Sequence, residues 1–154
     1  MKQGFTLIEI IIVIIIVGIL AAVGITQYSN MVEQGRIAEA KVRLGTMRQL
    51  AAQYYLEKGT DSGLQNTDLG VDNTCSSSSF YSYRVAAPGY AYWDLVATRC
   101  TSGGKTPNTS RQYKFGMRYW PATGAMDPWA CYYSDGTMCF GYIGSQGDPG
   151  YFWN

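Results

Sequence analysis

The sequence predicts an α+β fold: one long N-terminal α-helix, its first half transmembrane and its second half amphipathic, packed on a small antiparallel β-sheet. Three observations predict it. An apolar run fills Phe5–Ile25, a proline-free stretch with helical spacing continues to Lys58, and 18 of the 22 aromatic residues lie from Phe80 onward. Apolar residues three and four apart mark one face of a helix, whereas alternation marks a strand.

The run Phe5–Ile25 (FTLIEIIIVIIIVGILAAVGI) has 21 residues and one charge, Glu9. As a helix it would be about 32 Å long, close to the hydrocarbon thickness of a bilayer. Lys2 is the only charge ahead of it. The positive-inside bias therefore places the short N-terminus in the cytoplasm and the remainder across the membrane. A removed signal peptide would have an apolar region of about 7–15 residues and no internal carboxylate. A permanent anchor explains the length but not Glu9, because an acid in an apolar span is costly and marks function. An anchor that also assembles with other chains explains both, and it supplies Glu9 with a partner.

Between Thr26 and Lys58, Ile37, Ala40, Leu44, Met47, Ala51 and Tyr54 are spaced 3, 4, 3, 4 and 3 apart. This stripe predicts core packing on one helix face. Glu39 and Arg43 stand four apart in the favourable order for an ion pair. Lys58-Gly59 supplies a basic last turn and a stop. One helix of about 54 residues would span about 80 Å. Its second half can pack on the domain that follows; its first half needs lipid or other copies of itself.

Thr60–Thr74 is polar and turn-rich and reads as an extended connector. Phe80–Val85, Tyr90–Thr98 and Arg111–Trp120 read as strands, with Pro88-Gly89, the loop Thr101–Ser110 and Pro121 ending them in turn. Tyr113, Phe115, Met117 and Tyr119 would share one face. Trp129–Ser134 and Met138–Ile143 read as short strands around Asp135-Gly136, a tight-turn dipeptide. The last stretch, Gly144–Asn154, is Gly-rich and carries Tyr151-Phe152-Trp153. The expected sheet has about four strands.

The composition narrows the chemistry. Histidine is absent, which removes His-based triads, His metal ligands and the usual neutral-pH base. The net charge is +1, with no electrostatic bias towards nucleic acid. Charged residues are 15% of the chain, against about 25% in average proteins. No nucleophile–base arrangement stands out, and neither an enzyme nor a cofactor is expected. Cys75, Cys100, Cys131 and Cys139 contain no CxxC, which argues against structural zinc. In an oxidising compartment they are disulfide candidates. Of the three possible pairings, Cys75–Cys100 with Cys131–Cys139 is favoured, the second closing a short loop around the Asp135-Gly136 turn. The acids of Asp127-Pro128, Asp135-Gly136 and Asp148-Pro149 read as turn caps rather than calcium ligands, since none stands in a dedicated calcium-loop spacing. The aromatics read as core and strand pairs, with surface adhesion to an unknown ligand as the sharper alternative.

Lys2-Gln3-Gly4-Phe5-Thr6-Leu7-Ile8-Glu9-Ile10 resembles the leader and processing site of type IV prepilins. That family includes type IV pilins and the pseudopilins of type II secretion. The shared features are a short basic leader ending in Gly, then Phe-Thr-Leu-Ile-Glu, then an unbroken apolar helix. The resemblance covers about the first thirty residues. It implies a leader over 1–4 and cleavage after Gly4 by a membrane-embedded prepilin peptidase, which also methylates the amine of Phe5. It implies that Glu9 assists assembly by pairing with a neighbour's N-terminal amine. The implied domains are a hydrophobic assembly helix over 5–25, its amphipathic continuation over 26–58 and a pilin head over 59–154. The implied partners are copies of the chain, the peptidase, the pilus assembly machinery and inner-membrane lipid. The precursor would sit in the bacterial inner membrane and the product in an extracellular pilus on the cell surface. The alternative is a type II secretion pseudopilin. Many members carry a proline shortly after the apolar run; here Thr26 stands there, and Gly18 and Gly24 are left to weaken the helix.

Overall fold

Helix α1 covers Leu7–Lys58, 52 residues without a break. The structure, a computed structural model, describes residues 5–86 and 91–143. Two expected features, the Pro88-Gly89 strand end and the Gly144–Asn154 stretch with Asp148, lie outside the described residues. The helix stops at Gly59, whose φ of +66° is the left-handed conformation that glycine adopts without strain. Its N–H donates to the Tyr55 carbonyl at 2.9 Å. By contacts the chain divides into two compact units, Met1–Arg36 and Ile37–Asn154.

In the second unit the expected helix stripe is core. Ile37, Ala40, Leu44, Met47 and Ala51 are all fully buried, in one cluster with Tyr81, Leu95, Phe115 and Met117. The sheet comprises β1 (Tyr81–Ala86), β2 (Trp93–Arg99), β3 (Tyr113–Trp120), β4 (Ala125–Met126), β5 (Ala130–Tyr133) and β6 (Met138–Ile143). All pairs are antiparallel, in the order β1-β2-β3-β5-β6, with β4 folded back on the end of β3. Among the described residues there are thus six strands rather than about four. Five fall on the segments read as strands, and the sixth is the two-residue β4, reached through a turn at Gly124 (φ +71°). The expected face of β3 is buried: Tyr113, Phe115, Met117 and Tyr119 all point into the core.

Trp93 organises one end of this core. Its ring meets Tyr54, Tyr55 and Tyr119 at centroid distances of 6.2–6.4 Å, and its Nε1–H donates to the Asp61 carbonyl at 2.7 Å. At the other end the Tyr81 and Tyr113 hydroxyls lie 2.9 Å apart, so buried polar tips satisfy each other.

The connector is more than a polar link. Leu64 and Leu69 are 1% exposed and belong to the main core. Hydrogen bonds hold the segment to the sheet: Tyr83 N–H to the Asp72 carbonyl, and Val85 N–H to Asn66 Oδ1. The helix holds it too, because Arg43 donates to the Gly70 carbonyl at 2.7 Å. This corrects the expected Glu39–Arg43 ion pair, which does not form among the described contacts. A charge-assisted bond to a fixed carbonyl replaces a solvent-screened pair of little value.

Two disulfides brace the unit, Cys75–Cys100 and Cys131–Cys139. The first ties the connector to the end of β2. The second lies beside an irregularity in β6, where Phe140 and Gly141 both take positive φ. Cys75 and Cys100 are 25 residues apart, and a loop of that size constrains the unfolded chain by about 3.5 kcal/mol. Replacing both with alanine is therefore expected to lower unfolding free energy by about 3 kcal/mol, measured by denaturant titration of the full chain in detergent.

The outer face of the sheet carries polar residues, among them Ser82, Arg84, Thr98 and Lys114. Burial, and then the nearby Arg84 charge, push Lys114 down to about 8 from its usual 10.5. Between those values the unfolded chain holds a proton that the folded chain has released, so stability rises with pH across that window. Lys114→Met is expected to abolish this rise. The variant should be the more stable at pH 7, and the gap should narrow by about pH 9.5, in paired denaturation curves.

Candidate functional site

The N-terminal segment holds the residues to which the sequence reading assigns processing and assembly. Thr6 stands just ahead of α1, as its N-cap. Its N–H donates to Glu9 Oε2 at 2.8 Å and its hydroxyl to the same oxygen at 2.6 Å. The Glu9 N–H faces the Thr6 hydroxyl oxygen at 3.4 Å. This is a capping box: threonine at the N-cap and glutamate three residues on satisfy two backbone donors that the helix start leaves open. Both Thr6 donors converge on Oε2, so among the described residues Oε1 keeps its accepting capacity.

The box adds a role that the sequence reading lacks. That reading gives Glu9 a partner in another chain and gives Thr6 none. The available signal is Thr-x-x-Glu directly before an apolar run. The local cap and an intermolecular pairing are compatible, because a carboxylate accepts several hydrogen bonds.

Beyond the cap the side chains face outward. Phe5 is 84% exposed, and the large apolar residues from Leu7 to Ile25 are 42–78% exposed. By length and composition α1 is apolar enough to cross a membrane. The backbone stays helical through Gly18 and Gly24, and a Cβ at either would meet nothing within 4 Å. Packing within the chain therefore requires neither glycine. Gly4 lies outside the described residues.

The other candidates belong to the second unit. The four cysteines form the two disulfides described above. Asp135 clasps its own turn: Thr137 N–H and hydroxyl donate to Oδ1 at 2.9 and 2.6 Å, and Arg111 pairs with Oδ2. The two Thr137 hydrogen bonds and then Arg111 hold this carboxyl down to about 2. Its place is a turn cap. Among the described residues no three His, Cys, Asp or Glu side chains gather as a metal site. Most of the aromatics are occupied in the core, as in Phe115 stacked on Trp129 with Tyr142 at its edge.

Residues 1–25 match the family model of the prokaryotic N-terminal methylation motif. The fimbrial protein EcpC of Eikenella corrodens is 35% identical over 88 residues, 57% of each chain. The type IV major pilin protein PilE of Neisseria gonorrhoeae is 37% identical over 81 residues, 53% of this chain and 48% of that one. Over the matched residues the chain is similar to type IV pilins. The type IV major fimbrial protein FimA of Dichelobacter nodosus shares 44% over 48 residues, 31% of this pilin-like chain and 31% of its own. Across these three, the matched regions cover between 31% and 57% of the relative's length. No solved structure matches the chain. The relatives are named as fimbrial and pilin proteins.

Proposed function

We propose that this pilin-like chain is the structural subunit of a type IV pilus. It is made as an inner-membrane precursor with a leader over 1–4. Prepilin peptidase removes the leader after Gly4 and methylates Phe5. Residues 5–25 then leave lipid and pack against the same segment of other copies, with 26–58 and 59–154 forming the amphipathic continuation and the head. The pilus assembly machinery drives this transfer, and the product is an extracellular filament.

The observation that carries this reading is a capped helix start followed by a run of outward-facing apolar side chains. Such a surface is unstable in water at about 25 cal/mol per Å². It is stable in lipid or against copies of itself, and exchange of one for the other costs little because lipid tails are as apolar as the side chains. Glu9 is the exception within that surface. An ionised carboxylate in an apolar filament core needs a cation, and the N-terminal amine of a neighbouring Phe5 supplies one.

Mechanical shearing of cells tests the reading. The chain is expected among the most abundant proteins of the sheared surface fraction, in filaments visible by electron microscopy. Processed chain confined to the envelope fraction would overturn it in favour of a type II secretion pseudopilin.

A further inference from the structure

Within the second unit, a groove of about 640 Å³ opens between α1, the connector and β1. That volume falls within the range of about 300–1,000 Å³ for small-molecule sites. The sequence places its walls. Glu39, Val42, Arg43 and Thr46 stand three and four apart and so share one strip of α1. Tyr81 and Tyr83 alternate with Ser82 and share one face of β1. The connector closes the third side over 70–72, where Arg43 holds the Gly70 carbonyl and the Asp72 carbonyl accepts the Tyr83 N–H at 2.9 Å.

Tyr83 is the unusual member. It is 8% exposed, yet among the described residues its hydroxyl has no hydrogen-bond partner. The Tyr81 hydroxyl, by contrast, meets that of Tyr113. Burial, and then the Glu39 charge, push the Tyr83 hydroxyl up to about 12, so it keeps its proton and stays a donor at neutral pH. Arg43 acts in the opposite direction, so both helix charges reach the same hydroxyl. Among the described residues Glu39 accepts no hydrogen bond and no ion pair, and Arg43 uses one nitrogen on Gly70. The other hydroxyls have their protons committed: Thr46 to the Val42 carbonyl at 3.2 Å, Thr74 to Asp72 Oδ2 at 2.7 Å and Ser79 to the Tyr81 carbonyl. They offer lone pairs only.

We propose that this groove binds a neutral sugar, a pyranose unit whose hydroxyls bridge Tyr83, Glu39 and Arg43. A hydroxyl both donates and accepts, so one sugar hydroxyl can accept from Tyr83 and donate to Glu39. The remaining Arg43 donors suit a second hydroxyl or the ring oxygen, and the Thr46 and Thr74 oxygens accept from others. The apolar C–H face of the ring has Val42 and Val71 to lie on, and Val42 is 74% exposed. The donors, acceptors and charges disfavour the other ligand classes. An ammonium cannot accept from Tyr83 and meets Arg43. A carboxylate or phosphate cannot donate to Glu39 and meets the charges of Glu39 and Asp72. An apolar ligand would leave the Tyr83 hydroxyl buried and unpaired.

The test is an amide NMR titration of the full chain in a polyoxyethylene detergent, which carries no sugar. The methyl glycosides of glucose, galactose and mannose are compared with glycine, methylammonium chloride and sodium acetate. At least one glycoside is expected to shift the Val42, Val71 and Tyr83 amides saturably, with a dissociation constant of roughly 1–10 mM. Glycine, methylammonium and acetate should leave those signals in place. Tyr83→Phe should weaken binding about tenfold. It should also leave the denaturation midpoint unchanged or raised, because the lost hydroxyl has no partner in the chain. Glu39→Ala should weaken binding about tenfold or more. Binding of glycine or methylammonium in place of the glycosides would overturn the proposal in favour of a zwitterion or a cation. Signals unmoved by every glycoside would overturn it and leave the Tyr83 hydroxyl to water. So would undiminished binding in Tyr83→Phe and Glu39→Ala, or a midpoint lowered by Tyr83→Phe.

Discussion

Replacing Glu9 with alanine is expected to leave cleavage and methylation intact and to reduce filament yield at least tenfold. The cap in the structure makes a sharper experiment possible. Glutamine at this position still closes a capping box with Thr6, because Gln serves there as well as Glu. What Glu9→Gln removes is the negative charge. If Glu9 assists assembly by pairing with a cation in an apolar core, the loss costs on the order of 3–5 kcal/mol per subunit. Both variants should then fail together. If the cap alone matters, alanine should lose about 1 kcal/mol of helix-start stability, and glutamine should assemble normally. Wild-type filament yield from Glu9→Gln would refute the charge role. Processing of each variant is followed by the mass of the membrane-bound chain, which separates assembly from cleavage.

The second large effect is expected in the globular unit. Arg99 has no exposed surface. Its guanidinium donates to the carbonyls of Phe80 at 3.0 Å, Cys100 at 3.3 Å and Thr106 at 2.8 Å. It also lies over the rings of Phe80 and Tyr81 at 5.6 and 5.8 Å. One side chain thus holds the start of β1, the end of β2 and the Thr101–Ser110 loop, in which Thr106 takes the strained φ of +41°. Arg99→Met keeps much of the volume but leaves three carbonyls short of this donor. The expected cost is about 3–5 kcal/mol, a large share of the roughly 5–15 kcal/mol that holds a domain together. Denaturation followed by tryptophan fluorescence measures it in the full chain. A loss below about 1 kcal/mol would show that solvent or other donors replace the guanidinium.

Arg99 also marks the limit of sequence reading in this chain. A charged residue at a strand end reads as solvated, and only the closing loop reveals that carbonyls surround it. Leu64 and Leu69 were equally hidden, because two isolated leucines in a polar connector carry no period. The two-residue β4 and the Phe140-Gly141 irregularity are set by neighbouring strands rather than by local composition. The legible parts are those with repeated or local signals. The stripe from Ile37 to Ala51 repeats over several helical turns, and β3 alternates over four core positions. Lys58-Gly59 ends the helix through the one residue that tolerates its left-handed φ. In the N-terminal segment, the apolar run and Glu9 were conspicuous. The Thr6–Glu9 box is legible in the sequence as Thr-x-x-Glu before an apolar run, whereas the cost of a carboxylate in lipid points to partners outside the chain.

The measurement that tests the central claim most directly is intact mass with N-terminal sequencing of protein sheared from the cell surface. A chain that begins at N-methylated Phe5, lighter by four hydrogens for two disulfides, is the expected result. It would join processing, export and filament membership in one molecule. A chain that still begins at Met1 would contradict the filament subunit and leave a simple membrane anchor.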